Sequence, residues 1–208
     1  VKRAATKGFM LEQFRIDAVN GHFGGSLDGV ALGVPDIPEG EYCLLEFKTH
    51  GSKSFKKLLT DGLVSSKWEH YVQMQTYMKK RGLQYGLYMA VNKDDDDLHL
   101  EIVRLDDNVG TRHIQRAGDI INSHMPPARL TENATDWRCK FCDFTDVCHF
   151  NEPVLKNCRT CKHSYAAPER TWKCALGHRI APNKSNMHFA EDVLASEGCS
   201  NYEVKEII

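Results

Sequence analysis

"LLEFKTHGSKSFKKL", residues 44–58, is the stretch whose reading decides the fold. Leu44 and Leu45 open an apolar strand, yet the same strand carries Glu46 and Lys48 one residue apart. Side chains alternate along a strand, so Glu46, Lys48 and His50 share one face. Charged groups are rarely buried without partners. The strand therefore aims an acid and an amine at one place, and then runs into a basic helical stretch carrying Lys53, Lys56 and Lys57.

Towards the N-terminus, residues 12–20 ("EQFRIDAVN") alternate as a strand, and "NG" at 20–21 is a hairpin turn. Residues 22–34 ("HFGGSLDGVALGV") form a glycine-rich returning strand, and "PDIPEGE" at 35–41 is a turn. With 42–49 these make a three-stranded antiparallel meander. Towards the C-terminus the pattern turns helical over 53–60 and 65–82, with Ser65 or Ser66 as N-cap and Gly82 as the stop. Strands follow at 85–93 and 98–106, joined by "DDDD" (94–97), a solvated hairpin loop. A helix over 108–124 ends at Pro126–Pro127. The fold class is α+β: a mixed sheet flanked by helices over residues 1–130, a cysteine clasp over 131–152, and a metal-binding tail over 153–208.

The chain has 208 residues, 41% of them hydrophobic, enough for one sizeable core and an appendage. Lys and Arg total 27 against 28 Asp and Glu, so any nucleic-acid contact must come from a local basic patch. No apolar run is long enough to span a membrane, and no signal-peptide pattern opens the chain. Of the eight cysteines, Cys43 stands apart; the other seven fall between 139 and 199. An odd number grouped in C-x2-C pairs fits metal ligation better than a secreted disulfide framework, which points to the cytoplasm.

A phosphodiesterase that works with hard divalent cations such as Mg²⁺ or Mn²⁺ needs oxygen ligands, plus a positive group near the attacking water. Glu46 and Lys48 supply one of each. Asp28, in the neighbouring strand, supplies the second acid. Alone, an E-x-K strand reads as an exposed cross-strand ion pair. The third element shifts that reading: Gln73 and Tyr77 in "QMQTY" are four apart and share a helix face. The lysines at 53, 56, 57 and 67, with "KKR" at 79–81, extend a positive surface suited to DNA phosphates.

Taken in order, "GGSLDG", "LLEFKTH" and "QMQTYM" resemble the PD-(D/E)XK nuclease superfamily. The nearest branch is RecB-like, of the phage or prophage exonuclease type, and the likeness spans roughly residues 12–150. The resemblance implies a restriction-endonuclease-like core in which Asp28, Glu46 and the carbonyl of Phe47 bind Mg²⁺ or Mn²⁺. Lys48 would position the nucleophilic water, and Gln73 and Tyr77 would brace the site and meet the DNA. It implies DNA as substrate, in recombination, repair or phage replication, with a helicase or recombinase as partner. Two features depart from the family. The first acid follows Leu27 rather than proline, while the literal "PD" at Pro35–Asp36 lies in a turn. Only about ten residues stand before the first strand, where the family carries a leading helix, so either that helix lies upstream of Val1 or the domain is incomplete; His22 is a weak substitute for the ligand that helix carries.

"WRCKFCDFTDVCHF" sets Cys139, Cys142 and Cys148 in a C-x2-C-x5-C pattern, three thiolates that wrap a soft metal centre. By resemblance they form the C-terminal part of a 4Fe–4S clasp whose fourth cysteine lies upstream, since Cys43 is inside a strand. The rival is zinc with His149, directly beside Cys148. The second group, Cys158, Cys161, Cys174 and Cys199, is a full tetrahedral set for structural Zn²⁺, with His178 as an alternative fourth ligand. A reading from another class is a noncatalytic DNA-binding or recombination accessory protein, with the zinc module making the functional contacts.

Overall fold

A computed structural model describes residues 14–177 and 199–205. The described residues fall into two compact units. One holds the described part of Val1–Val19 together with Phe23–Ala117, and the other holds Asn20–His22 with the described part of Gly118–Ile208. The division at 117–118 lies earlier than the boundary at 130 expected from sequence, and it puts both C-terminal cysteine groups in one unit.

The first unit begins with β1 (Arg15–Ala18), β2 (Phe23–Ser26), β3 (Gly29–Leu32) and β4 (Tyr42–His50). The expected three-stranded meander is not formed. The glycine-rich stretch breaks at Leu27–Asp28: β2 pairs antiparallel with β1 as a separate two-stranded sheet, and β3 pairs antiparallel with β4. The break has a physical cause. Leu27 is wholly buried and its N–H donates to the Phe14 carbonyl at 2.8 Å, so the chain drops its side chain into the core and changes partner.

Helices α1 (Ser52–Ser66) and α2 (Trp68–Arg81) carry the chain over to β5 (Tyr85–Asn92), which lies parallel to β4; β6 (Leu98–Arg104) returns antiparallel. The sheet order is β3-β4-β5-β6, a mixed sheet with helices packed against it, as the α+β reading expects. Parallel neighbours need such a crossover, and the helical stretch between residues 52 and 81 provides it. Leu44, Tyr88 and Ala90 from the sheet meet Phe55, Leu58, Leu63, Met74 and Met78 from the helices in one buried cluster.

The helix ends repay inspection. Neither Ser65 nor Ser66 caps α2: Lys67 is the junction residue, and the Ser66 hydroxyl instead donates back to the Gly62 carbonyl at 2.6 Å. Gly62, at φ 72 and ψ 172, interrupts α1. The Leu63 N–H is thereby released from the helix and is taken by the Glu101 carboxylate at 3.0 Å. Gly82 does end α2, in the left-handed conformation at φ 68. In the "DDDD" loop, Asp94 accepts from both the N–H (2.8 Å) and the hydroxyl (2.6 Å) of Ser52, capping α1. That acidic run is thus only partly a solvated loop.

Helix α3 (Asp107–Asn122) starts in the first unit, where Gly110 allows it close to the α2 backbone at Gln75. In the second unit, where the sequence pattern fades, the chain forms α4 (Thr145–Phe150) and a hairpin of β7 (Ser164–Ala167) and β8 (Thr171–Cys174). Residues 203–205 lace back onto residues 160–162: Lys162 N–H donates to Glu203 O and Lys205 N–H to Thr160 O, both at 2.8 Å. Among the described residues, no helix is long and apolar enough to cross a membrane.

Candidate active site

On β4 the side chains alternate, so Leu44, Glu46, Lys48 and His50 face the helices while Phe47 and Thr49 are exposed on the other face. The carboxylate of Glu46 is 1% exposed. Burial is the first cause that raises its pKa, the nearby Asp28 charge adds to it, and the Lys48 ammonium pulls the other way. Lys48 Nζ forms an ion pair with Glu46 Oε1. Yet, among the described residues, neither Glu46 oxygen has a hydrogen bond of good geometry. At this contact the Lys48 ammonium still acts on Glu46 as a hydrogen-bonding cation, so only the remaining lone pairs lack a partner. A buried acid in that state is costly unless something else satisfies it.

Asp28 stands where the β3–β4 register, Gly29 opposite Leu45, continues to Glu46. Residues directly opposite in an antiparallel pair project to the same side. Asp28 is exposed, and its carboxylate accepts the N–H of Phe47 at 2.8 Å. One acid is therefore buried and one open, side by side. From α2, Gln73 Oε1 lies 3.5 Å from Lys48 Nζ, and Gln73 Nε2 donates to the Tyr77 hydroxyl at 3.3 Å. The charges of Glu46, Lys48 and Asp28 all act on Tyr77, whose hydroxyl pKa is raised chiefly by burial. All five side chains singled out from sequence thus come together.

Tyr77 owes its place to Gly25. A Cβ at residue 25 would overlap the Tyr77 hydroxyl and ring. Gly25→Ala is expected to push Tyr77 out of the cluster and, should the cluster turn over a substrate, to slow that turnover about tenfold. The melting temperature should change little beside that loss, because the ring end can swing aside. A kinetic comparison with Tyr77→Phe checks this: equal activity of Gly25→Ala and wild type would rule it out.

Lysines 53, 56 and 57 are exposed on α1, beside the Glu46 strand. Lys67 is not with them: its ammonium turns inward and donates to Ser54 Oγ at 2.6 Å. Lys79 is paired with Asp107, and the Arg81 guanidinium lies 4.9 Å from the Phe14 ring centroid. The free positive surface is consequently narrower than the sequence count implies. Asp36 is exposed in its turn, at φ 64. His22 lies in the second unit, where its Nε2 is 2.8 Å from the Ala167 carbonyl and its ring packs edge-on against Trp172.

The sequence reading missed a polar chain behind Lys48. The Tyr88 hydroxyl lies 2.9 Å from both His50 Nε2 and His70 Nδ1, and His50 Nδ1 lies 3.4 Å from Ser54 Oγ. Burial lowers the pKa of both imidazoles, that of His70 to about 4. The signal was present: His70, Gln73 and Tyr77 recur at helical spacing along one face of α2.

The Cys158 thiol pKa is raised by burial and, to a lesser extent, by Cys161, Cys174 and Cys199. Cys139 is likewise influenced by Cys142 and Cys148, and its Sγ is 3.5 Å from His149 Nε2. Cys43 is buried, and its thiol pKa is pushed up to about 11 by that burial. His178 lies outside the described residues. Among those residues, no group of three or more His, Cys, Asp or Glu side chains stands at metal-holding geometry. For the Asp28–Glu46 pair this is no obstacle, because Mg²⁺ commonly takes one or two carboxylates and keeps several waters.

No protein-family model matches the chain, and no curated protein matches it. One solved structure, described as the crystal structure of SSO0001, is similar at 16% identity and a TM-score of 0.40. That likeness covers 65% of this chain and 58% of the other.

Proposed function

We propose that the chain is a divalent-metal-dependent deoxyribonuclease of PD-(D/E)XK type, with exonuclease action in DNA recombination, repair or phage replication. One observation carries the reading: a buried Glu46 carboxylate whose polar partner among the described residues is Lys48, set beside the open carboxylate of Asp28. Asp28, Glu46 and the Phe47 carbonyl would hold Mg²⁺ or Mn²⁺. When bound, such an ion lowers the pKa of water and offsets charge on the phosphate.

The remaining chemistry belongs to the chain. Lys48, steadied by Gln73, orients the water that attacks phosphorus, and that water gives up a proton to solvent as the new P–O bond forms. The P–O bond to the leaving sugar breaks in line with that attack, and the departing oxygen takes a proton from solvent. Tyr77 fixes Gln73, and so fixes the approach of Lys48. Lys53, Lys56 and Lys57 hold the strand by its phosphates, an affinity that should fall with rising salt. A helicase or recombinase partner and a cytoplasmic setting accompany this reading.

Structural Zn²⁺ at Cys158, Cys161, Cys174 and Cys199 fits a unit whose described residues bury very little apolar surface. At Cys139, Cys142 and Cys148, a 4Fe–4S cluster is one reading. The second, zinc with His149, is favoured by the Cys139–His149 separation of 3.5 Å. Sulfur and nitrogen sharing one tetrahedral zinc stand about 3.6 Å apart. A broad absorption near ~400 nm in anaerobically purified protein would indicate the cluster instead.

The test is linear against nicked circular DNA with Mg²⁺ or Mn²⁺. Lys48→Ala should cut at least about a hundredfold more slowly. Unchanged cutting by that variant removes the assignment of Lys48. DNA binding without cutting by wild type favours the noncatalytic accessory protein.

A further inference from the structure

The hydrogen bonds behind Lys48 have a direction. A lysine ammonium only donates, so Lys67 sets Ser54 Oγ as acceptor at that end. Ser54 Oγ keeps a second lone pair, so two orders are open; in the order inferred here the serine's own hydrogen goes to His50 Nδ1. In that order His50 carries its proton on Nε2 and donates to the Tyr88 oxygen. Tyr88 has one hydrogen to give, and it goes to His70 Nδ1. The order Lys67, Ser54, His50, Tyr88, His70 leaves His70 as the Nε2–H tautomer, with that N–H on the far side of the ring from Tyr88.

Three observations say where this N–H is used. His70 precedes Gln73 by one turn and Tyr77 by two, on the α2 face that carries the site. Through the Tyr88 hydroxyl, His70 is joined to His50, which shares the β4 face of Lys48. Nε2 has no hydrogen-bond partner among the described residues. Nor is it among their side-chain atoms buried without one, so solvent, or a ligand, reaches it. The ring itself is held on two sides, 5.8 Å from the Tyr88 ring and 5.7 Å from His50, centroid to centroid.

We propose that His70 is a substrate-binding residue: its Nε2–H donates to a non-bridging oxygen of a DNA phosphate next to the one being cleaved, and the Lys67–Ser54–His50–Tyr88 chain fixes the tautomer that makes it a donor. The inference rests on the nuclease reading. It also explains why an imidazole rather than a lysine stands there. A neutral, oriented donor binds phosphate without adding a second positive charge beside Lys48.

Two amide side chains separate the roles of the ring nitrogens. Asparagine places a polar atom where Nδ1 stands and keeps the link to Tyr88; glutamine places an N–H₂ near Nε2. On a labelled linear duplex oligonucleotide with Mg²⁺, His70→Asn should raise KM about tenfold or more, with kcat nearly unchanged. His70→Gln should stay within about threefold of wild type. Equal KM values for His70→Asn and wild type overturn the proposal. So does a His70→Gln defect as large as that of His70→Asn, which would mark the residue as part of the internal network only. If wild type does not cut with Mg²⁺ or Mn²⁺, the nuclease reading fails by itself, and fluorescence-anisotropy Kd values for the same oligonucleotide decide His70. Weaker binding by His70→Asn, restored in His70→Gln, then supports the contact, and equal Kd values remove it.

Discussion

Glu46→Gln is expected to lower DNA cleavage about a thousandfold or more, and at the same time to raise the melting temperature of the metal-free protein. The first effect follows from removing one of two carboxylates that would hold the divalent ion. The second follows from burial. Glu46 has a folded-state pKa above its unfolded value, with burial as the leading cause. Such an acid favours folding most while protonated, and that contribution is lost as pH rises through its folded pKa. A neutral amide of the same shape removes that dependence but leaves Lys48 without its anion, an opposing loss that holds the gain to no more than about 1 kcal/mol, a few degrees for a unit of this size. The gain should shrink as the pH is lowered towards the range where Glu46 itself is protonated. Mg²⁺ should raise the melting temperature of wild type and leave that of Glu46→Gln unmoved. A variant that melts lower than wild type at neutral pH, without metal, would contradict the account of Glu46 as an under-satisfied buried acid.

The second large effect concerns the C-terminal unit. Its described residues bury little: Cys161, Ser164 and Ala167 are among the few enclosed side chains, whereas Trp137 is 71% and Phe141 88% exposed. Apolar burial of that size cannot offset the entropy of ordering the chain. Structural zinc supplies an apparent ~10–16 kcal/mol in small domains. Stripping metal with a strong chelator, or making Cys158→Ser, should therefore open the segment beyond about residue 150 to protease, with the first unit left resistant. Metal affinity should weaken as pH falls, since protons compete for thiolates and burial already favours the neutral thiol at Cys158. Elemental analysis completes the test: a protease-resistant C-terminal unit with no bound zinc or iron would eliminate the metal-stapled reading.

Much of the candidate site was legible because it depends on short-range periodicity. A period of two puts Glu46 and Lys48 on one strand face. A spacing of four puts Gln73 and Tyr77 on one helix face, and a local turn returns Asp28 to the neighbouring strand. The glycine stop at Gly82 and the helix ending before Pro126 belong to the same local class. Other features were hidden because they depend on distant partners. Lys67 looks like a surface cation in sequence and becomes an internal donor only because Ser54 and His50 lie beneath it. Asp94 looks like solvated charge and becomes a helix cap only because α1 starts beside the β5–β6 turn.

Residue order and chemistry alone determined that an acid and an amine leave one apolar strand together, that a second acid precedes them, and that seven cysteines gather near the C-terminus. Tertiary structure alone decided that the glycine-rich stretch divides between two sheets, since that choice turns on where Leu27 finds a core. It alone decided that Glu46 is buried beside Lys48, because desolvation is set by everything packed around a group rather than by its neighbours along the chain.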